Sequence, residues 1–167
     1  ANSVQCLSLN GSAAAARAIM TSDTFPKEFA VEFSAHGKKI RIGGIAKGAG
    51  MIAPNMATML CFITTDAAIS RTTLQKALSV SVEQSFNRIT IDGDMSTNDT
   101  VIMLANGAAG NKVLRHGTAA FKVFQRALDH VTKNHARMIV EDGEGVTNFV
   151  EVHVNGADTM SDARKSA

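Results

Sequence analysis

"KGAGMIAPNMATMLCFITTDA", residues 47–67, joins a lysine and a glycine-spaced loop to a continuous apolar run. From Thr58 to Thr64 that run shows no polar alternation, which predicts a strand covered on both faces. Gly48, Gly50 and Pro54 allow the loop before it a kinked path, and Pro54 excludes a regular element there. Between loop and strand stands the Ala57-Thr58 junction. A threonine hydroxyl is a weak nucleophile without an adjacent base. Severing the chain before Thr58 would supply one, because the freed α-amino group titrates at about 7.7–8.0 and belongs to the same residue. The same hydroxyl can make the cut by attacking the Ala57 carbonyl, giving an ester that water opens. On residue chemistry alone, an ordinary strand start is the other reading of the junction.

Working outward, "GSAAAARAIM" (11–20) is alanine-rich and predicts a short helix that stops at "TSDT". "FAVEF" (29–33) alternates Phe29, Val31 and Phe33 with Ala30 and Glu32, and "KKIRI" (38–42) repeats the pattern with Ile40 and Ile42. Together they predict a β-hairpin across His36-Gly37 with one wet face, after which Gly43 and Gly44 punctuate the chain. Ser70 can cap a helix carrying Leu74, Ala77, Leu78, Val82, Ser85 and Phe86 at the 3.6-residue period. "DGDMSTNDT" (92–100) reads as polar loop, and "VIMLAN" (101–106) as the start of an apolar helix, with a strand as the alternative. A second helix spans 118–140 with Phe121, Phe124, Leu128, Val131 and Met138 on one stripe, and "EDGEG" ends it. "NFVEVHV" (148–154) alternates again as a strand would.

The 167 residues suit one domain, with 45% apolar and 19% charged residues and an aromatic content resting on eight Phe. A net charge of +2, with scattered cations, excludes the basic face a nucleic acid needs. No apolar run reaches the roughly 18–20 residues of a membrane span. Cys6 and Cys61 stand far apart without a C-x-x-C spacing, and two cysteines do not make the dense framework of a small secreted domain, so a reducing compartment is expected. Cys61 reads as a small core residue. "ANSVQCLSLN" (1–10) has neither an initiating Met nor a signal-peptide layout, so the chain is expected to be a piece cut at its start. Asp92, Asp94, Ser96 and Asn98 imitate a calcium loop, but Thr97 and Met103 stand where its Gly and Glu belong, leaving a solvated turn. Lys47 precedes Gly48 and so breaks the P-loop order. The dispersed histidines offer no zinc spacing, and His130 and His135 are expected to be solvated or to serve the helix dipole. No metal is expected.

The phrases "AARAIMTSDTFPKE", "GGIAKGAGMIAPNMATMLCFITTDA", "SFNRITIDGDMSTNDTVIMLANG" and "IVEDGEGVTNFVEV" follow one another across nearly the whole chain. In that order they closely resemble the glutamate N-acetyltransferase (ornithine acetyltransferase) family of arginine biosynthesis. The resemblance implies an α+β fold, a layered α/β/β/α sandwich of the N-terminal-nucleophile type, of which this chain is an incomplete part. It implies self-cleavage at Ala57-Thr58 and acetyl transfer from N-acetylornithine to glutamate through an acetyl-threonine. Residues 1–57 would then end an alpha chain and 58–167 begin a beta chain, within a heterotetramer of two alpha and two beta chains.

Carried over residue by residue, Thr58 is the nucleophile and new amino terminus. Lys47 contacts substrate, as a cation suited to a carboxylate does. Thr21 binds substrate, with Thr24 in the same turn as the residue it is most easily confused with, and Glu144 suits an ammonium group. Asn98 and Asp99 have a supporting role. The family's oxyanion hole comes from a Thr-Gly turn that residues 1–57 do not contain, and further substrate contacts come from a segment beyond residue 167. No cofactor is implied, although acetyl-CoA is a possible acetyl donor, and the setting is cytoplasmic, or mitochondrial in a fungus. The competing expectations are a self-processing aminopeptidase of similar fold and a non-catalytic fragment that lacks the oxyanion turn.

Overall fold

The computed structural model describes residues 3–53, 59–94 and 98–166. The hairpin is formed by β1 (Lys27–Ala35) and β2 (Lys38–Lys47), paired antiparallel from Ala35 opposite Lys38 to Lys27 opposite Ala46. His36 and Gly37 adopt φ of 51° and 71°, the left-handed pair of a two-residue turn whose twist matches the strands it joins. Contrary to expectation, β2 runs on through Gly43 and Gly44. These glycines mark close approach and not a break. A Cβ on Gly44 would stand 2.9 Å from the Phe62 carbonyl oxygen and 3.2 Å from Cε1 of His135.

β3 (Leu60–Thr65) joins β2 antiparallel, and β4 (Thr100–Ala105) joins β3 in parallel, giving a four-stranded sheet in the order β1-β2-β3-β4. The parallel pair needs a crossover, which α2 (Arg71–Glu83) supplies. Its start is set by Ser70, whose hydroxyl oxygen accepts the Thr73 N–H at 3.3 Å. Residues 101–105 are therefore strand and not the start of a helix. A short apolar run has no period to separate the two, and the pairing with β3 decided it.

α3 (Ala119–Glu141) begins at Thr118, whose hydroxyl oxygen accepts the Phe121 N–H at 3.2 Å, and packs against β1 and β2. Phe124, Leu128, Val131 and Ile139 on this helix are fully buried. Each such side chain contributes about 1.5–3 kcal/mol relative to exposure. Phe33 of β1 meets Phe124 edge-on with ring centres 6.2 Å apart. α1 (Ser12–Ala18) buries Ala16, and α4 (Met160–Ser166) lies near α2 through an ion pair of Arg164 with Glu83.

Two further expectations are corrected. β3 is covered on one face: Cys61, Ile63 and Thr65 are buried beneath the helices, whereas Thr64 is exposed on the other side. On that open side Ile102 lies opposite Phe62, and Ile102 and Leu104 are 42% and 64% exposed. Residues 148–154 form no strand, because alternation alone supplies no partner ladder. Phe149 instead lies under the guanidinium of Arg137, 5.0 Å from its ring centre. The fold is α+β, one sheet with α2 and α3 on a single face, and the second sheet of a layered sandwich is not built by the described residues.

Gly44→Val should cost about 1–3 kcal/mol, because the side chain drives into the β3 backbone and the His135 ring. Urea denaturation at neutral pH would measure this, and an unchanged midpoint would remove the close-approach argument.

Candidate functional site

Lys27 is the first residue of β1 and faces the helices opposite Ala46, where it is fully buried. A buried ammonium is stable only when paired. Here two carboxylates receive it: Nζ donates to Asp23 Oδ1 at 2.6 Å and to Asp142 Oδ2 at 2.5 Å. The Phe25 ring centre lies 4.9 Å from the same nitrogen. Asp23 also accepts the Gly48 N–H at 2.7 Å and the Thr21 N–H at 3.1 Å. Asp142, which caps the C-terminus of α3, accepts the Thr24 N–H at 2.9 Å and the Thr24 hydroxyl. Burial alone would raise both carboxyls. For Asp23 the Gly48 N–H and Lys27 overcome it, for Asp142 Lys27 and Thr24 do, and both acids are held below their ordinary value.

This network gathers three chain segments. Lys47, at the end of β2, directs its Nζ to the Thr21 hydroxyl at 3.5 Å. The Glu144 N–H donates to the Ala49 carbonyl at 2.7 Å, and a Cβ on Gly50 would sit 3.0 Å from the Glu144 carboxyl carbon. The Glu144 carboxylate thus closes against the Gly50 backbone. Thr21 and Glu144 are exposed and Lys47 is half-buried, so the three open to solvent around residues 48–50. Thr24 is the structural threonine of the turn and Thr21 the one that meets Lys47.

The rest of the loop has its own clamp. Met51 takes a φ of 56°, and its N–H and that of Ile52 are accepted by Asp92. The Ile52 carbonyl accepts the Ile91 N–H at 2.9 Å and the Thr90 hydroxyl at 3.0 Å. Asp92 belongs to the acidic stretch expected to be a solvated turn, and its carboxylate holds backbone instead. Across the loop, Asp99 accepts the Met59 N–H at 3.1 Å, and the Met59 carbonyl accepts the Thr100 N–H at 3.1 Å. Partial burial pushes the Asp99 carboxyl up, against the Met59 N–H and the charge of Lys47. Pro54, Ala57 and Thr58 lie outside the described residues. A cavity of about 250 Å³ adjoins Ala53, Met59, Asp99, Leu78 and Phe86.

Cys61 is a core residue, its thiol pushed up to about 12 by burial. His135 departs from expectation: it is fully buried, with Nδ1 2.9 Å from the Val131 carbonyl oxygen and Nε2 3.0 Å from that of Gly44. Burial lowers its pKa against the pull of those carbonyls. Among the described residues no group of three or more His, Cys, Asp or Glu side chains is arranged to hold a metal, and no helix is long and apolar enough to cross a membrane.

The chain belongs to the ArgJ family, whose model matches residues 1–167. It is 52% identical over 161 residues to the arginine biosynthesis bifunctional protein ArgJ of Caldanaerobacter subterraneus, covering 96% of this chain and 40% of that protein. It is 56% identical over 160 residues to the glutamate N-acetyltransferase of Methanocaldococcus jannaschii, covering 95% of this chain and 39% of that one. The crystal structure of the arginine biosynthesis bifunctional protein ArgJ from Bacillus halodurans superposes with a TM-score of 0.48 at 44% identity, covering 50% of this chain and 39% of that chain. The chain thus spans about 40% of the length of the curated ArgJ relative.

Lys27→Met should destabilise the chain by about 3–5 kcal/mol at neutral pH, because it leaves two buried carboxylates without a counter-charge. The acid side follows from the lowered carboxyls. Their stability is present in full above the ordinary value of 3.8 and is lost as pH falls through the lower folded values. In Lys27→Met the carboxyls lose the cation that lowers them while burial still raises them, so the deficit relative to the unmutated chain should be largest at neutral pH and shrink as pH falls and they protonate. Urea midpoints taken from pH 7 downward would show this, and identical pH profiles for the two proteins would refute it.

Proposed function

We propose that this chain carries the nucleophile and part of the substrate pocket of a glutamate N-acetyltransferase acting in arginine biosynthesis. The observation that carries the reading is the Lys47 ammonium at the Thr21 hydroxyl with the Glu144 carboxylate against Gly50, three residues further along the loop that leads in sequence to Thr58. Membership of the ArgJ family and the name of the archaeal relative support it.

In this reading the Thr58 hydroxyl attacks the Ala57 carbonyl, and water opens the resulting ester to leave Thr58 as an amino terminus. Its free amine then accepts the hydroxyl proton as the oxygen attacks the acetyl carbonyl of N-acetylornithine. The amide C–N bond breaks, and the departing ornithine amine takes the proton. Glutamate's amine attacks the acetyl-threonine ester, forming N-acetylglutamate and restoring the hydroxyl. Lys47 and Thr21 receive a substrate carboxylate, and Glu144 receives an ammonium group. The oxyanion donors are supplied from outside these residues, in the full-length protein.

Thr58→Ala in the full-length protein should abolish both splitting and transfer, leaving one band on a denaturing gel. Mass spectrometry of the unmutated protein should find a polypeptide beginning at Thr58, acetylated after incubation with N-acetylornithine. Transfer by the Thr58→Ala protein would rule out the nucleophile assignment. Lys47→Ala should raise KM about tenfold while leaving splitting intact, and unchanged saturation kinetics would remove its role.

A further inference from the structure

We propose that Lys27 is a positioning residue of the site: its buried ammonium, shared by Asp23 and Asp142, holds the Thr21 turn, the Lys47 strand end and the Glu144 loop at their working distances without touching substrate. The inference rests on the acetyl-transfer reading for its kinetic part only.

Lys27 is fully exposed to neither solvent nor any cleft, with side-chain exposure of 0%, and its Nζ is occupied by the two carboxylates. It therefore has no route to a substrate. What singles it out is where its partners end. Asp23 binds Lys27 and also the backbone N–H groups of Thr21 and of Gly48, the residue after Lys47. Asp142 binds Lys27 and also the Thr24 backbone, two residues before Glu144 along the chain. Stability alone does not call for this arrangement, since apolar packing of the same volume serves a core equally well. A single cation between two acids does something packing cannot: it makes the position of each carboxylate depend on the other. Without it, two like charges would face each other in a dry space and separate, taking their backbone segments with them.

Asp23→Asn tests the idea in the full-length protein, since it preserves size and one acceptor and removes the charge. The expected result is a KM raised about tenfold with kcat within about twofold. Amide hydrogen exchange at Thr24, whose N–H is held by Asp142 and not by the Asp23 carboxylate, should accelerate by about tenfold or more after division by the intrinsic rate that the neighbouring substitution sets. Leu128→Ala is the control. It opens a hole under the sheet away from the site, lowers Tm by at least as much, and should leave both KM and Thr24 exchange unchanged. An Asp23→Asn protein with normal KM and normal Thr24 exchange would overturn the proposal, as would a Leu128→Ala protein that shifts both. If the unmutated protein transfers no acetyl group, the proposed function has failed, and Thr24 exchange alone then decides whether the positioning claim stands.

Discussion

A lysine with no water around it, held between two aspartates, is the constraint on which the site depends. Lys27 opens the first strand, Asp23 comes from the turn before it, and Asp142 ends the longest helix. Taking these charges out of water is costly, so the arrangement survives only with good geometry and every remaining lone pair used. The carboxylates meet that condition by accepting backbone N–H groups from Thr21, Thr24 and Gly48. The same bonds that make the burial tolerable therefore fix the backbone beside Thr21 and Lys47.

The sheet supplies the rigid platform for this network. Gly44 brings β2 close enough to α3 for the His135 ring to reach its carbonyl, and the apolar stripe of α3 covers the inner face of β1 and β2. Beyond Lys47 the chain leaves the sheet, and carboxylates replace ladder pairing as its hold: Asp92 for Met51 and Ile52, Asp99 for Met59. Acidic side chains accepting backbone N–H groups let a loop take an irregular path without orphaned donors. On the opposite side of the sheet, Ile102 and Leu104 of β4 are exposed among the described residues.

Much of this was legible from residue order. The hairpin with its His36-Gly37 turn, the cap at Ser70 and the stripe on α3 follow from local preferences that need no tertiary partner. Family phrases singled out Lys47, Thr21 and Glu144, and the fold sets the Lys47 ammonium at the Thr21 hydroxyl and the Glu144 carboxylate against Gly50. What the sequence did not disclose were contacts whose partners lie far along the chain. Lys27 at a strand start resembles any solvated lysine, and Asp142 in "EDGEG" resembles a loop acid. His135 on a long helix gave no sign of facing Gly44, and Asp92 suggested a metal loop or a solvated turn more readily than a backbone clamp.

The sequence by itself determined the class of fold, the Ser70 cap, the turn and the family, because these depend on period, on short-range hydrogen bonding and on long matching phrases. Only the tertiary structure decided that 100–105 is a strand, that 148–154 is not, and that one face of β3 is open. Strand identity requires a partner at hydrogen-bonding distance, and burial of a charge requires its counter-charge. Both are properties of residues brought together by folding, as Lys27 and Asp142 are from 115 residues apart in sequence.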